Sequence, residues 1–307
     1  MPTIRAIAIL AVLVSGCATI QRQQVEQFAA QMLVSDEQEA SLGLQVHEEL
    51  TKKNTRFSTD PAVLGYVQGL ARKLEGAASK DRAVSWQWFV IDDDATINAF
   101  ATPGGRVYVY TGLLLAADSE AEVVGVLGHE MGHVVGRHSA RQLVASKGLE
   151  TVAAMALGEN APEVATLASQ LVGSGATLAY GRDMELEADR YGARYAAGSG
   201  YDPRGLTTFF EKLRAKHGDT GPVATFFSTH PSNVDRINQL NGLIAQEHLS
   251  GGPGATAQLH SAQAEIRRTP SASPAPVGSS PTPTPTPTPA SAPAPAPHRA
   301  PAPAPRR

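Results

Sequence analysis

Residues 128–133 read Gly128-His129-Glu130-Met131-Gly132-His133, an H-E-x-x-H motif among the apolar residues Val123, Val124, Val126, Leu127 and Val134. This pattern predicts a buried helix over about Glu120–His138, capped by Asp118 or Ser119. Positions four apart share one helix face, so His129 and His133 can present two imidazoles to one metal ion. Glu130 lies beside them as a candidate general base. Two histidines do not complete a catalytic zinc site, which takes three protein ligands and leaves the fourth position to water.

The best third ligand lies in Glu185-Leu186-Glu187-Ala188-Asp189, on a helix predicted over Arg182–Ala197. Glu185 and Asp189 share a face, and Glu187 points elsewhere, outside the expected ligand set. In one arrangement Glu185 binds zinc, and Asp189 accepts a hydrogen bond from the second nitrogen of a ligating histidine, fixing its tautomer. Alone, the same stretch reads as a solvated acidic face paired with Arg182 and Arg190; the upstream motif turns it into a candidate ligand set.

Outward from these motifs, helical spacing predicts helices over Asp36–Leu50, Asp60–Leu74, Leu113–Ala117, Ala140–Leu157, Ala161–Leu178, Asp202–Lys216 and Ser232–Glu247. Val84–Ile91 alternates as a strand, and Asp92-Asp93-Asp94 reads as a solvated turn rather than a calcium loop. Ile97–Thr102 and Arg106–Tyr110 read as strands joined by the turn Pro103-Gly104-Gly105. The expected class is α+β, mostly helical, with a small antiparallel sheet beside the active-site helix. The stretch 141–180 reads either as a lid or as a part of the core.

Both ends differ in composition from this middle. Arg5 precedes an apolar run, Ala6–Val14, too short to span a bilayer, and the run leads to Val14-Ser15-Gly16-Cys17. This end of the run resembles the lipobox of bacterial lipoproteins, which implies a signal peptide over residues 1–16 and lipid on Cys17. A generic signal peptide that happens to contain a Cys is the alternative. Cys17 is the only cysteine and so has no internal disulfide partner. Several acyl chains on that sulfur would anchor the chain firmly. Ala18, where an Asp would favour inner-membrane retention, points to the outer membrane. Residues 17–35 are expected to be a membrane-proximal linker, 36–250 the zinc metallopeptidase domain, and 251–307 a disordered Pro/Ala/Thr-rich tail. From Thr269 onward the chain carries 14 of its 22 prolines, which favours extended polyproline II and a spacer role. The alternative is a ligand for a Pro-binding module or a tether through the wall. Net charge is -3, which gives no sign of a nucleic-acid partner.

Together, His129-Glu130-Met131-Gly132-His133, Glu185-Leu186-Glu187-Ala188-Asp189-Arg190, Asn98-Ala99-Phe100-Ala101-Thr102-Pro103-Gly104-Gly105 and Thr229-His230-Pro231-Ser232 resemble the HtpX and CAAX-prenyl-protease family of zinc metallopeptidases. The resemblance covers about Asp36–Leu243 and is to the periplasmic lipoprotein branch, without an obvious tetratricopeptide array. It implies a zincin-like domain and one Zn2+ per chain, held by His129, His133 and Glu185 with Asp189 behind them, and Glu130 as base. It implies a role for His230: either capping zinc in a latent enzyme or hydrogen-bonding an oxyanion. Arg236 would orient an acidic group or substrate. Asn98, Ala99 and Phe100 form a candidate substrate-binding strand, with Gly104 and Gly105 bordering the cleft; an ordinary structural hairpin is the alternative. His47, His138, His217, His248, His260 and His298 lack partner spacing and read as ordinary core or surface residues.

The expected activity is envelope-anchored, zinc-dependent cleavage of unfolded or misassembled envelope proteins, in the periplasm and tied to the outer membrane through Cys17. One alternative is a chaperone or assembly factor that holds clients in the same cleft. Another is a structural lipoprotein whose tail spans the wall. Oligomeric state is left open.

Overall fold

Helix α1 (Asp36–Lys52) starts at a reciprocal cap in which Gln38 N–H donates to Ser35 Oγ and Ser35 N–H donates to the Gln38 side chain. Helix α2 (Pro61–Ala78) starts at Asp60, whose carboxylate accepts the Ala62 and Val63 amides. The computed structural model describes residues 34–172, 180–218, 221–230 and 234–271. All belong to one unit of the chain, which extends to Ser273. The signal segment, Cys17, most of the linker and the proline-rich run from 272 lie outside the described residues.

Strands β1 (Gln87–Ile91), β2 (Ala99–Thr102) and β3 (Arg106–Tyr110) form one sheet in the order β1-β3-β2. The β2–β3 hairpin is antiparallel as expected, but β1 pairs with β3 in parallel, so the sheet is mixed. The 92–98 connection explains the difference. Asp93 accepts bonds from the Ala95 and Thr96 amides, and the segment carries the chain past β3 to the far edge. The hairpin then brings β3 back into the middle.

The two faces of the sheet carry different residues. Ala99, Val109 and Val90 face the main core, and Ala101 and Val107 face Val134. Phe100, Tyr108, Tyr110 and Ile91 fill the opposite face. The small alanines let helix α4 (Glu120–Val135) lie close along β2. Ser119 caps α4 by accepting the Glu122 amide. The helix stops at Val135, short of the predicted His138, because Arg137 takes a left-handed conformation (φ 55°).

A short helix α3 (Thr111–Ala116) precedes α4. Helices α5 (His138–Lys147), α6 (Leu149–Ala156) and α7 (Ala161–Val172) follow it, with the break at Gly148 interrupting the predicted Ala140–Leu157 helix. Leu143, Val152, Met155, Val164 and Leu167 pack with α1 and the aromatic face of the sheet in a second core. The segment from 141 therefore completes the core.

Helix α8 (Arg182–Gly198) crosses α4 at very short range. A Cβ on Gly132 would lie 2.7 Å from the Ala188 carbonyl oxygen, and one on Gly128 would lie 3.1 Å from Gly192 Cα. Helices α9 (Gly205–His217), α10 (Ala224–Thr229) and α11 (Val234–Gln246) close the main core with Phe209, Phe210, Phe226 and Leu240. Helix α12 (Thr256–Arg268) corrects the domain boundary expected at 250. It buries Leu259, Ala262 and Ile266, and its Gln263 side chain donates to the Leu114 and Ala117 carbonyls. Among the described residues no helix is long and apolar enough to cross a membrane.

Helix propensity favours alanine over glycine by about 1 kcal/mol, whereas overpacking a tight contact costs about 1–3 kcal/mol. Gly132→Ala is therefore expected to lower Tm by roughly 5 °C, although alanine is the better helix former. Gly65→Ala, where a Cβ meets nothing within 4 Å, should hold or raise it. Thermal denaturation of the two variants checks this; equal Tm values would remove close packing as the reason for Gly132.

Candidate metal centre

The close crossing of α4 and α8 aims His129 and His133 at Glu185. His129 Nε2 lies 3.0 Å from His133 Nε2, and His133 Nε2 lies 3.4 Å from Glu185 Oε1. His230, at the end of α10, completes the cluster: its Nδ1 is 3.2 Å from His129 Nε2 and 3.1 Å from Glu185 Oε1. One ligand atom from each of the four residues lies within 4.8 Å of every other, and all four residues are buried.

This donor set fits a divalent cation. Zinc–nitrogen bonds of 2.0–2.1 Å give a tetrahedron with edges of roughly 3.3 Å, close to the separations just given. Asp189 Oδ1 accepts the His129 Nδ1–H at 2.9 Å, so Nε2 turns a bare lone pair into the cluster. Glu130 Oε1 is buried without a hydrogen bond, 3.3 Å from His230 Nε2. Such an orphaned acceptor is costly in a dry interior and suits a site built to hold a cation or a polar reactant.

The electrostatics follow from burial. Burial pushes His129 and His133 down, keeping them neutral, as metal ligation requires. Burial alone would raise the Glu185 carboxyl, but the charges of His230 and Arg236 hold it well below the usual range. Burial raises Glu130 to about 7, with His230 opposing. Arg236 is itself buried and grips Asp189 with two donors, Nε to Oδ2 at 2.6 Å and NH2 to Oδ1 at 2.7 Å. Its NH1 sits 2.5 Å from Glu185 Oε2. The guanidinium thus sits against the two α8 carboxylates behind the cluster.

All of β2 is buried. Asn98 C=O accepts the Tyr110 amide, so alternation along the ladder turns the backbone groups of Ala99 and Ala101 to the outer edge. There a backbone hydrogen bond from Ala101 reaches Glu130. Gly104 and Gly105, at φ 79° and 97°, pack against Ala40 and Val84, and these contacts give the turn a structural role.

Two residues near the cluster escape the sequence reading. His138 is fully buried and meets His133 and Glu187. This overturns its reading as an ordinary histidine and brings Glu187 back towards the site. Tyr180 stacks on His133 with ring centroids 4.0 Å apart and shares a hydrogen bond with Ser139 Oγ at 2.8 Å. His138 lies five residues past His133 and Tyr180 five before Glu185, so the one-turn spacing that pairs the ligands marks neither.

A family model described as peptidase family M48 matches residues 57–244, more than half of the chain. The chain is 35% identical over 177 residues to mitochondrial metalloendopeptidase OMA1 of Arabidopsis thaliana, covering 58% of this chain and 34% of that protein. It is 34% identical over 192 residues to the OMA1 of Schizosaccharomyces pombe, covering 62% and 56% respectively. It is 30% identical over 205 residues to the β-barrel assembly-enhancing protease of Escherichia coli K12, covering 61% and 41%. The matches thus take in between a third and three fifths of these relatives' lengths.

Glu185→Gln removes the only carboxylate among the four clustered donors. Bound zinc, measured by elemental analysis after purification, should fall at least tenfold; full occupancy in that variant would take Glu185 out of the donor set. Arg236→Met leaves two buried carboxylates without their countercharge and is expected to cost about 3–5 kcal/mol in denaturant unfolding.

Proposed function

The chain belongs to peptidase family M48, a family of zinc metallopeptidases, and we propose that it is an envelope-anchored zinc endopeptidase that cleaves misfolded or misassembled proteins. One observation carries this reading: imidazoles from α4 and a carboxylate from α8 meet around one point, with Glu130 buried beside them. His129, His133 and Glu185 would hold one zinc ion. Bound zinc supplies Lewis acidity, lowering the pKa of a water molecule to about 7 and polarising a carbonyl.

The remaining work falls to the chain's own residues. Glu130 takes the proton of the attacking water and passes it to the leaving amide nitrogen. Burial raises the Glu130 carboxyl above the usual carboxylate range, which suits it to return the proton as well as to take it. Asp189, steadied by Arg236, keeps the proton of His129 on Nδ1. An extended peptide would add along the outer edge of β2, where main-chain bonds at Ala99 and Ala101 demand little of its sequence. That suits unfolded clients, and the name of the E. coli relative, a β-barrel assembly-enhancing protease, supports clients in the bacterial envelope. Lipidated Cys17 would place the enzyme at the outer membrane, facing the periplasm.

The closed geometry supports a latent state. His129, Glu130, His133, Glu185 and His230 are all at most 2% exposed, as a resting form that excludes substrate would have them. His230 would stand as a further donor beside His129, His133 and Glu185, so activity requires its imidazole to give way to substrate.

Cleavage of casein by the purified full chain, with and without a chelator, tests the activity; cleavage that survives metal removal would overturn it. Glu130→Gln should keep zinc and folding while cleavage falls by a factor of a hundred or more. His230→Ala should raise basal cleavage several-fold if the imidazole blocks the site, whereas a fall would assign it to the oxyanion.

A further inference from the structure

Resting on the zinc reading above, we propose that His138 is a positioning residue for the metal site: its Nδ1 accepts the Nδ1–H of His133, and its own Nε2–H is donated to Glu187. His133 is thereby held with a bare Nε2 turned to the cation. The distances form a continuous chain, with His133 Nδ1 to His138 Nδ1 at 2.8 Å and His138 Nε2 to Glu187 Oε2 at 3.2 Å.

Proton assignment along this chain leaves one solution. His133 can give Nε2 to a metal only if its ring proton sits on Nδ1. That proton needs an acceptor, and the facing atom is a nitrogen of a second imidazole. His138 must then present a lone pair at Nδ1, which places its proton on Nε2, directed at Glu187. Glu187 is fixed in turn by Arg141 NH1, 3.1 Å from the same oxygen. Each imidazole of the H-E-x-x-H pair therefore ends on a carboxylate of α8. His129 reaches Asp189 directly, and His133 reaches Glu187 through one intervening ring.

The backbone is shaped for this contact. His138 is five residues beyond His133, out of reach on a continuous helix. The break after Val135 brings it back. Arg137 adopts φ 55°, a region that residues other than glycine rarely enter, and is held there by bonds to Glu39 and the Val34 carbonyl. Gly136 supplies the room, since a Cβ at that position would run into the His138 ring. His138 is 0% exposed, so its two ring nitrogens have to be satisfied from within.

The test uses the full chain and zinc itself. Zinc affinity is measured by competition with a chromophoric chelator for wild type, His138→Phe and His138→Asn. His138→Phe keeps ring volume and removes the acceptor, and should weaken zinc 10–100-fold. His138→Asn restores an acceptor near the Nδ1 position and should recover most of that loss. Long-range 15N NMR of the zinc-loaded wild type, labelled at histidine, should find His133 protonated at Nδ1 and His138 at Nε2. This last measurement needs no variant to fold. Tight zinc binding by wild type together with unchanged affinity in His138→Phe, equal losses in both variants, or a proton on His138 Nδ1 would each overturn the inference while leaving the peptidase reading in place. A wild-type chain that binds no zinc would overturn both.

Discussion

Everything at the centre depends on how nearly the backbones of α4 and α8 touch. Gly128 and Gly132 on one helix meet Gly192 and Ala188 on the other, and no side chain fits between them. Only at that separation can two short imidazole side chains reach Glu185 across the gap. The next turn of the same contact sets Asp189 against His129. Packing and chemistry are one constraint here: each residue that widened the crossing would also lengthen the distances among the donors.

A cluster of this kind is unfavourable by itself. Three imidazoles and three carboxylates, including Asp189 and Glu130, are withdrawn from water, and desolvation penalises every charged form. Arg236 offsets part of that cost by neutralising two carboxylates from behind, itself stacked over the Phe210 ring at 5.2 Å. A cation at the meeting point would relieve the rest, because Glu130 Oε1 has no hydrogen bond and Nε2 of His129 faces the nitrogens of two further imidazoles. The network therefore gathers costly buried polar groups about one point, in line with unpaired groups collecting at functional sites.

Much of this is legible in the sequence, for a physical reason. His129/His133 and Glu185/Asp189 repeat at the period of a helix, and periodicity survives without knowledge of the tertiary fold. The helices around them are legible for the same reason, and the choice of Asp118 or Ser119 as the cap of α4 resolves to Ser119. What is hidden depends on chain reversals. His138 is brought to His133 by a left-handed residue, and residue type alone gives no hint that Arg137 adopts it. The parallel β1–β3 pairing depends on which side of β3 the 92–98 connection passes, and hydrophobic alternation is blind to that. Helix α12 is hidden by composition: its buried face is Leu259, Ala262, Gln263 and Ile266, and its flanks are Gly- and Pro-rich, so it resembles the tail that follows. Tyr180 reaches the cluster through tertiary placement alone.

The unequal faces of the three-stranded sheet bear on how such a chain can diverge. Ala99 and Ala101 stand against the helix that carries the imidazole pair, and an added methylene there would shift α4 and its histidines together. Phe100, Tyr108 and Tyr110 on the reverse side meet other rings and aliphatic chains, where one bulky shape can replace another with local adjustment. Drift should therefore accumulate on the aromatic side of the sheet and be purged from the alanine side, so that one four-residue strand evolves at two tempos.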